Sequence, residues 1–106
     1  MDTVNFNGLS GATYQTTAYP VNQAFKAFGA VYIICRRYIE NGLYYFKPIY
    51  IGVTGDMATR FDDHHKAACF TKNGGNFICV HSDANEASRF LKETDLINHW
   101  DPVCNG

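Results

Sequence analysis

The sequence predicts a single α+β domain in which helices pack on a mostly antiparallel sheet. Three observations carry that expectation. The chain reads in the order hairpin, strand, strand, helix, strand, helix, with no internal repeat, linker or low-complexity segment. Two runs rich in β-branched and aromatic residues flank Asn41-Gly42, the strongest short hairpin signal. Two stretches in the second half carry apolar residues at helical spacing, each opened by an acidic residue suited to capping.

Taken in order, Val4 to Asn7 and Thr13 to Thr17 read as short strands around a turn bounded by Gly8 and Gly11. The mixed pattern from Pro20 to Gly29 leaves room for one helical turn at Gln23 to Phe28. Ala30 to Cys35 and Ile49 to Val53 then read as an antiparallel pair. A strict two-residue Asn-Gly turn sets Tyr32 opposite Ile51 and Tyr50 opposite Ile33, so the tyrosines point to opposite faces. A β-bulge or a longer loop would bring them onto one face.

Asp56 is placed to cap a helix from about Met57 to Cys69 whose inward stripe is Met57, Phe61, His64 and Ala68, with Arg60 at the stripe's edge. Thr71 to Asn76 reads as a loop and Phe77 to His81 as a third strand of the central sheet. The last helix opens with Asp83 and Glu86 in capping-box spacing and turns Ala87, Phe90, Leu91, Thr94 and Ile97 to the core, with Glu93 at the border and Pro102 as the stop. Residues 1–28 are thus expected as a hairpin and extension packed on a domain spanning 29–106, one globular unit.

Composition bounds the function. With 106 residues, 46% hydrophobic, eight Phe and seven Tyr, the chain closes one core and is not a disordered segment. No apolar stretch is long enough to span a bilayer and no signal-peptide layout opens the chain, so no membrane association and a cytoplasmic address are expected. In a reducing compartment Cys35, Cys69, Cys79 and Cys104 are expected as buried thiols, since none forms a Cys-x-x-Cys pair. A net charge of -1 argues mildly against a surface that grips nucleic acid everywhere and points to local patches such as Arg36-Arg37 or Lys66 and Lys72.

The chemistry-bearing residues are two strand tyrosines, an Arg and a His one turn apart, and a carboxylate at the border of the last helix. Singly, each has an ordinary structural explanation: strand aromatics pack, a helix histidine sits satisfied in a core, and Arg with Glu forms a boundary ion pair. Together they supply a base, a fixed cation and a metal-holding carboxylate, the groups that phosphodiester cleavage needs. His65, Cys69, Cys79 and His81 are spaced too irregularly for a zinc site.

From Gly29 to Asn105 the chain resembles the GIY-YIG nuclease domain of homing endonucleases, some restriction enzymes and an excision-repair incision subunit. The motifs stand as Ala30-Val31-Tyr32, Tyr50-Ile51-Gly52, Arg60-Phe-Asp-Asp-His64, and Glu93-Thr-Asp-Leu-Ile97 followed by Pro102 and Asn105. The resemblance implies a small three-stranded antiparallel sheet flanked by helices, to which the N-terminal hairpin is an addition. It also implies that Tyr32 and Tyr50 share a face.

By the same resemblance Tyr32 is the general base, Tyr50 positions water or phosphate, and Arg60 clamps the scissile phosphate. His64 accepts or relays the tyrosine's proton, Glu93 holds one Mg2+ or Mn2+, and Asn105 braces the site. Gly52, Arg36 and Lys66 stand as supporting or substrate-binding residues. The implied activity is metal-dependent endonucleolytic cleavage of DNA, expected from a monomer. With no appended DNA-binding module and no basic net charge, the chain is expected to be weakly specific, to prefer a branched or damaged structure, or to work inside a larger repair or processing complex. The alternatives are a non-cleaving nucleic-acid or protein binding module of the same fold, and a phosphodiesterase for a small nucleotide. Two features depart from the family pattern: the leading glycine stands one place early, as Gly29 before Ala30, and an insert from Arg36 to Lys47 lengthens the hairpin into a possible substrate arm.

Overall fold

The computed structural model describes residues 2–62 and 64–106. Five strands, β1 (Thr3–Asn7), β2 (Thr13–Pro20), β3 (Ala30–Glu40), β4 (Leu43–Thr54) and β5 (Phe77–Ser82), are joined by two helices, α1 (Ala67–Lys72) and α2 (Glu86–Trp100). The strands form one sheet in the order β1-β2-β5-β3-β4, antiparallel throughout and curled into a half-barrel.

This corrects the expected three-stranded sheet flanked by helices. The N-terminal hairpin does not lie on the domain as an addition. β2 pairs with β5 from Thr17↔Val80 to Pro20↔Phe77, so the hairpin continues the sheet and satisfies the backbone edge that β5 would otherwise expose. Local alternation marks β1 and β2 as strands; it does not say which distant edge receives them.

β3 is an interior strand, paired with β5 on one side and β4 on the other, and its residues Ala30 to Cys35 are buried on both faces, as a continuous apolar run requires. On one face Val31, Ile33 and Ile51 meet Phe6, Ala18 and Cys79 beneath Leu96 of α2. On the other, Tyr32, Ile34, Tyr50 and Ile78 are covered by Met57, Phe61, Phe70 and Cys104, with Phe25 and Phe28 at the margin. The latter two come from coil, where one helical turn was expected at Gln23 to Phe28.

The turn at Asn41-Gly42 forms as read, both residues adopting positive φ (52° and 78°), the conformation of a tight type I′ connection. The expected insert from Arg36 to Lys47 is no loop: β3 and β4 stay paired to Glu40↔Leu43 and extend beyond the sheet as an arm.

Both helices depart from the sequence pattern. Residues 57–62 form turns, and helix begins only at Ala67; Asp63 lies outside the described residues. The Asp56 carboxylate accepts the Ala58 N–H (2.9 Å), as a cap does, but His64 Nδ1 takes the Lys66 N–H (3.0 Å), a local bond that competes with helix propagation. Of the expected inward stripe, Met57 and His64 are buried while Ala68 is exposed.

In α2 the cap is Asn85, whose side chain accepts the Ser88 N–H (2.8 Å), two residues after the expected cap Asp83. Of the expected inward face, Ile97 packs against the core while Ala87 and Thr94 are exposed. Leu91 is 74% exposed and Phe90 51%, whereas Arg89 and Leu96 are buried. The helix is rotated so that Arg89 and Glu93, one turn apart, face inward.

The cysteine expectation is corrected too. Cys69 and Cys104 form a disulfide with Cα atoms 6.0 Å apart across 35 residues of sequence, while Cys35 and Cys79 are buried thiols. Such a bond weighs against the reducing compartment from which four thiols were inferred. No helix among the described residues is long and apolar enough to cross a membrane.

Candidate active site

The hairpin β3–β4 carries the two tyrosines, and a bulge decides where they point. Its register runs Glu40↔Leu43 to Cys35↔Pro48, then shifts so that Ile34 faces Tyr50 and Tyr32 faces Gly52. Ile49 is the additional residue. Partners directly opposite share a face, so the shift brings Tyr32 and Tyr50 to the same side, with ring centroids 6.1 Å apart.

Arg60 and His64 reach the tyrosines from the irregular segment before α1. Met57 pins that segment through its side chain, fully buried, and its N–H, which donates to the Phe28 carbonyl (2.9 Å). From there Arg60 Nε donates to the Tyr32 hydroxyl oxygen at 2.7 Å, and His64 Nε2 lies 2.9 Å from that oxygen.

The histidine's tautomer follows from its other nitrogen. A backbone N–H can only donate, so Nδ1, which receives the Lys66 N–H, carries the lone pair, and the proton of the neutral ring is on Nε2. In this resting arrangement His64 therefore donates to Tyr32, whereas the family resemblance implied that it accepts or relays the tyrosine's proton. Burial, then the neighbouring charges of Arg60 and His65, lower its pKa to about 4, so the ring is neutral at pH 7.

Two N–H donors thus converge on one phenol oxygen. Burial pushes the Tyr32 pKa well above its ordinary value; the Arg60 charge and hydrogen bond pull it down without reversing that, and the nearby Tyr50 adds to the rise. Tyr32 is 0% exposed, roofed by Phe61 in edge contact at 5.0 Å and by Arg60 and His64. In this arrangement the phenol is neutral and shielded from water.

Arg60 is only partly buried, forms no ion pair among the described residues, and uses Nε alone on Tyr32. Glu93 approaches from α2. Burial raises its pKa and the charge of Arg60 lowers it, which puts the two in electrostatic range without a salt bridge. Glu93 makes no hydrogen bond among the described residues, and no group of three or more His, Cys, Asp or Glu there forms a ready metal cage.

Asn105 holds β4 from outside. Its Oδ1 accepts the Ile51 N–H (2.8 Å) and its Nδ2 donates to the Ile51 carbonyl (2.9 Å), standing in for a neighbouring strand at the sheet edge. Cys104 N–H donates to the Ile49 carbonyl (3.0 Å), and the disulfide ties this terminal segment to α1. Ile51 lies between Tyr50 and Gly52, so the brace acts on the backbone that carries both.

Lys66 contributes its backbone N–H to the site. Arg36 does not join it: its side chain passes Gly74 and lies over Tyr38 on the arm.

Sequence reasoning missed Arg89. This side chain is 8% exposed, donates from Nη1 to the Asp83 carbonyl (2.9 Å), and has no carboxylate partner among the described residues. A Cβ at position 29 would stand 2.4 Å from Nη1, so the early glycine of the first motif makes room for this guanidinium. Its position four residues before Glu93 on one helix was the available signal. His81 was read as a strand-end residue; its Nε2 lies 2.9 Å from Lys92 Nζ, which also pairs with Asp83 at 2.9 Å.

Tyr32, Tyr50, Gly52, Arg60 and His64 therefore form one constellation, with Glu93 within electrostatic reach of Arg60 and Asn105 behind β4. The chain matches no protein-family model, no curated protein and no solved structure.

Proposed function

We propose that the chain is a divalent-metal-dependent endonuclease that hydrolyses phosphodiester bonds of DNA, acting alone or within a larger processing complex. The observation that supports this best is Arg60, fastened at Nε to a buried phenol and paired with no carboxylate among the described residues. Among the described residues both its Nη groups are left for the oxygens of a phosphate, which a guanidinium fork grips well.

In this reading Tyr32 aims the guanidinium in the resting state. As a base Tyr32 first loses its hydroxyl proton to solvent; the N–H groups of Arg60 and His64 stabilise the resulting phenolate, which then takes the proton of the attacking water and returns to the neutral phenol. Tyr50 lines the approach. One half-buried carboxylate fits Mg2+ or Mn2+, which accept a single protein ligand beside water and phosphate oxygens; Glu93 would hold the ion, which would supply Lewis-acid stabilisation of the developing charge. The cytoplasmic address stays part of this reading, and the disulfide weighs against it.

The observation favouring a second reading, a non-cleaving binding module, is the complete burial of Tyr32, since a general base has to reach water. Incubating supercoiled and branched DNA with Mg2+ or Mn2+, beside an Arg60→Ala, Glu93→Ala double variant, separates the two. Cutting that needs metal and is lost in the variant supports the nuclease. Folded protein that cuts nothing supports the module.

A further inference from the structure

β5 stops pairing with β3 at Cys35↔Phe77, while the β3–β4 ladder continues to Glu40↔Leu43. Along this ladder the pairs Tyr32↔Gly52, Ile34↔Tyr50, Arg36↔Lys47 and Tyr38↔Tyr45 share one face. Six residues separate Tyr32 from Tyr38, about 20 Å at the rise of a strand, on the order of three to six nucleotides of backbone. The arm therefore prolongs the face of the candidate site.

Its side chains are aromatic and cationic. Tyr38 and Tyr45 stack with centroids 5.5 Å apart, and the Arg36 guanidinium lies 5.4 Å over Tyr38. On the opposite face Arg37 lies over Phe77 at 4.1 Å and Tyr44 at 4.7 Å. Arg36, Arg37 and Lys47 form no ion pair among the described residues, and the one carboxylate of the arm is Glu40 at its tip. Beside the arm runs a groove of about 750 Å³ between the outer edge of β4 (Tyr45, Lys47, Pro48) and the end of α2 with the chain that follows it (Trp100, Asp101, Pro102). It leads toward Ile49 and Ile51, where Cys104 and Asn105 take over the edge.

We propose that this arm and groove bind a single-stranded stretch of nucleic acid leading into the Tyr32–Arg60 site, which makes the substrate a junction of duplex and single strand. The proposal rests on the phosphodiester reading given above. A phosphate backbone supplies the negative charge that the three cations lack. Exposed aromatic faces beside them stack unpaired bases of any sequence, whereas paired bases in a duplex present only their edges. Pro48 in the edge strand opposes the addition of a peptide strand.

Fluorescence anisotropy in EDTA tests binding apart from cutting, with a labelled single strand, a blunt duplex and a tailed junction. The folded protein is expected to bind the tailed junction at least ten-fold more tightly than the blunt duplex. Tyr45→Ala lowers that affinity about five-fold or more with the salt dependence unchanged, and Tyr45→Phe restores it. Arg36→Ala with Lys47→Ala lowers the slope of log K against log salt by about 1.4. Equal affinity for duplex and junction, or arm variants that bind like wild type, would overturn the proposal. Cleavage of the junction in Mg2+ reads the other question: cutting indifferent to the arm removes the arm and keeps the nuclease, and arm-dependent binding without cutting keeps the arm and removes the nuclease.

Discussion

Gly52 faces Tyr32 across the β3–β4 ladder, and a Cβ on Gly52 would lie 2.5 Å from the Tyr32 hydroxyl oxygen and 2.8 Å from the Tyr50 ring. The third residue of the Tyr-Ile-Gly motif is therefore the floor on which both tyrosines rest. Gly52→Ala is expected to displace the rings, destabilise the fold by about 1 to 3 kcal/mol through overpacking, and reduce cleavage at least ten-fold. Chemical denaturation with a cleavage assay on the same preparation checks both.

Arg60→Lys keeps a positive charge and loses both the Nε–H bond to Tyr32 and the two-pronged grip on phosphate. Cleavage is expected to fall about 100-fold or more, with stability changed by about 1 kcal/mol or less because the residue is only partly buried. Activity near wild type would show that charge alone suffices and remove the fork geometry from the mechanism.

His64 gives the protein a pH signature. Its folded pKa is lowered to about 4 from 6.5, so between these values the unfolded chain binds the proton and the folded one does not. Stability contributed by the neutral ring is complete above pH 6.5 and is lost as pH falls toward 4, by at most about 3 kcal/mol. Melting temperature against pH should show that slope, and His64→Gln should flatten it.

The terminal segment is held twice, by Asn105 on Ile51 and by the disulfide to Cys69. Closing a loop of 35 residues restricts the unfolded chain by about 3 to 4 kcal/mol, so reduction should lower stability by roughly that amount. Asn105→Ala should cost about 1 to 2 kcal/mol and speed hydrogen exchange of the Ile51 amide in particular. An Ile51 amide that exchanges at the wild-type rate in the variant would contradict the edge brace.

The orientation of α2 is open to a direct comparison. Leu96→Ala is expected to cost about 2 to 5 kcal/mol, and Leu91→Ser less than about 0.5 kcal/mol, since Leu96 is buried and Leu91 faces solvent. The reverse order would restore the helix face that periodicity alone suggests.

What the sequence by itself determined is what neighbouring residues settle among themselves. Alternation marked the strands, Asn41-Gly42 fixed the tight turn, and the tyrosines, Arg60 and His64 were legible as a set, including the need for a bulge to bring Tyr32 and Tyr50 to one face. Only the tertiary structure decided how distant residues meet. The pairing of β2 with β5 made five strands of an expected three. The apolar stripe of α2 misled because the inward side was taken by Arg89, seated against Gly29, and by Glu93 within electrostatic reach of Arg60. His64 met the Tyr32 hydroxyl, 32 residues away in sequence, from an irregular segment where a helix was expected. Cys69 met Cys104 because the terminal segment closes the edge of β4. In each case the deciding partner was a lone pair, a charge or a strand edge supplied through space, which residue spacing does not encode.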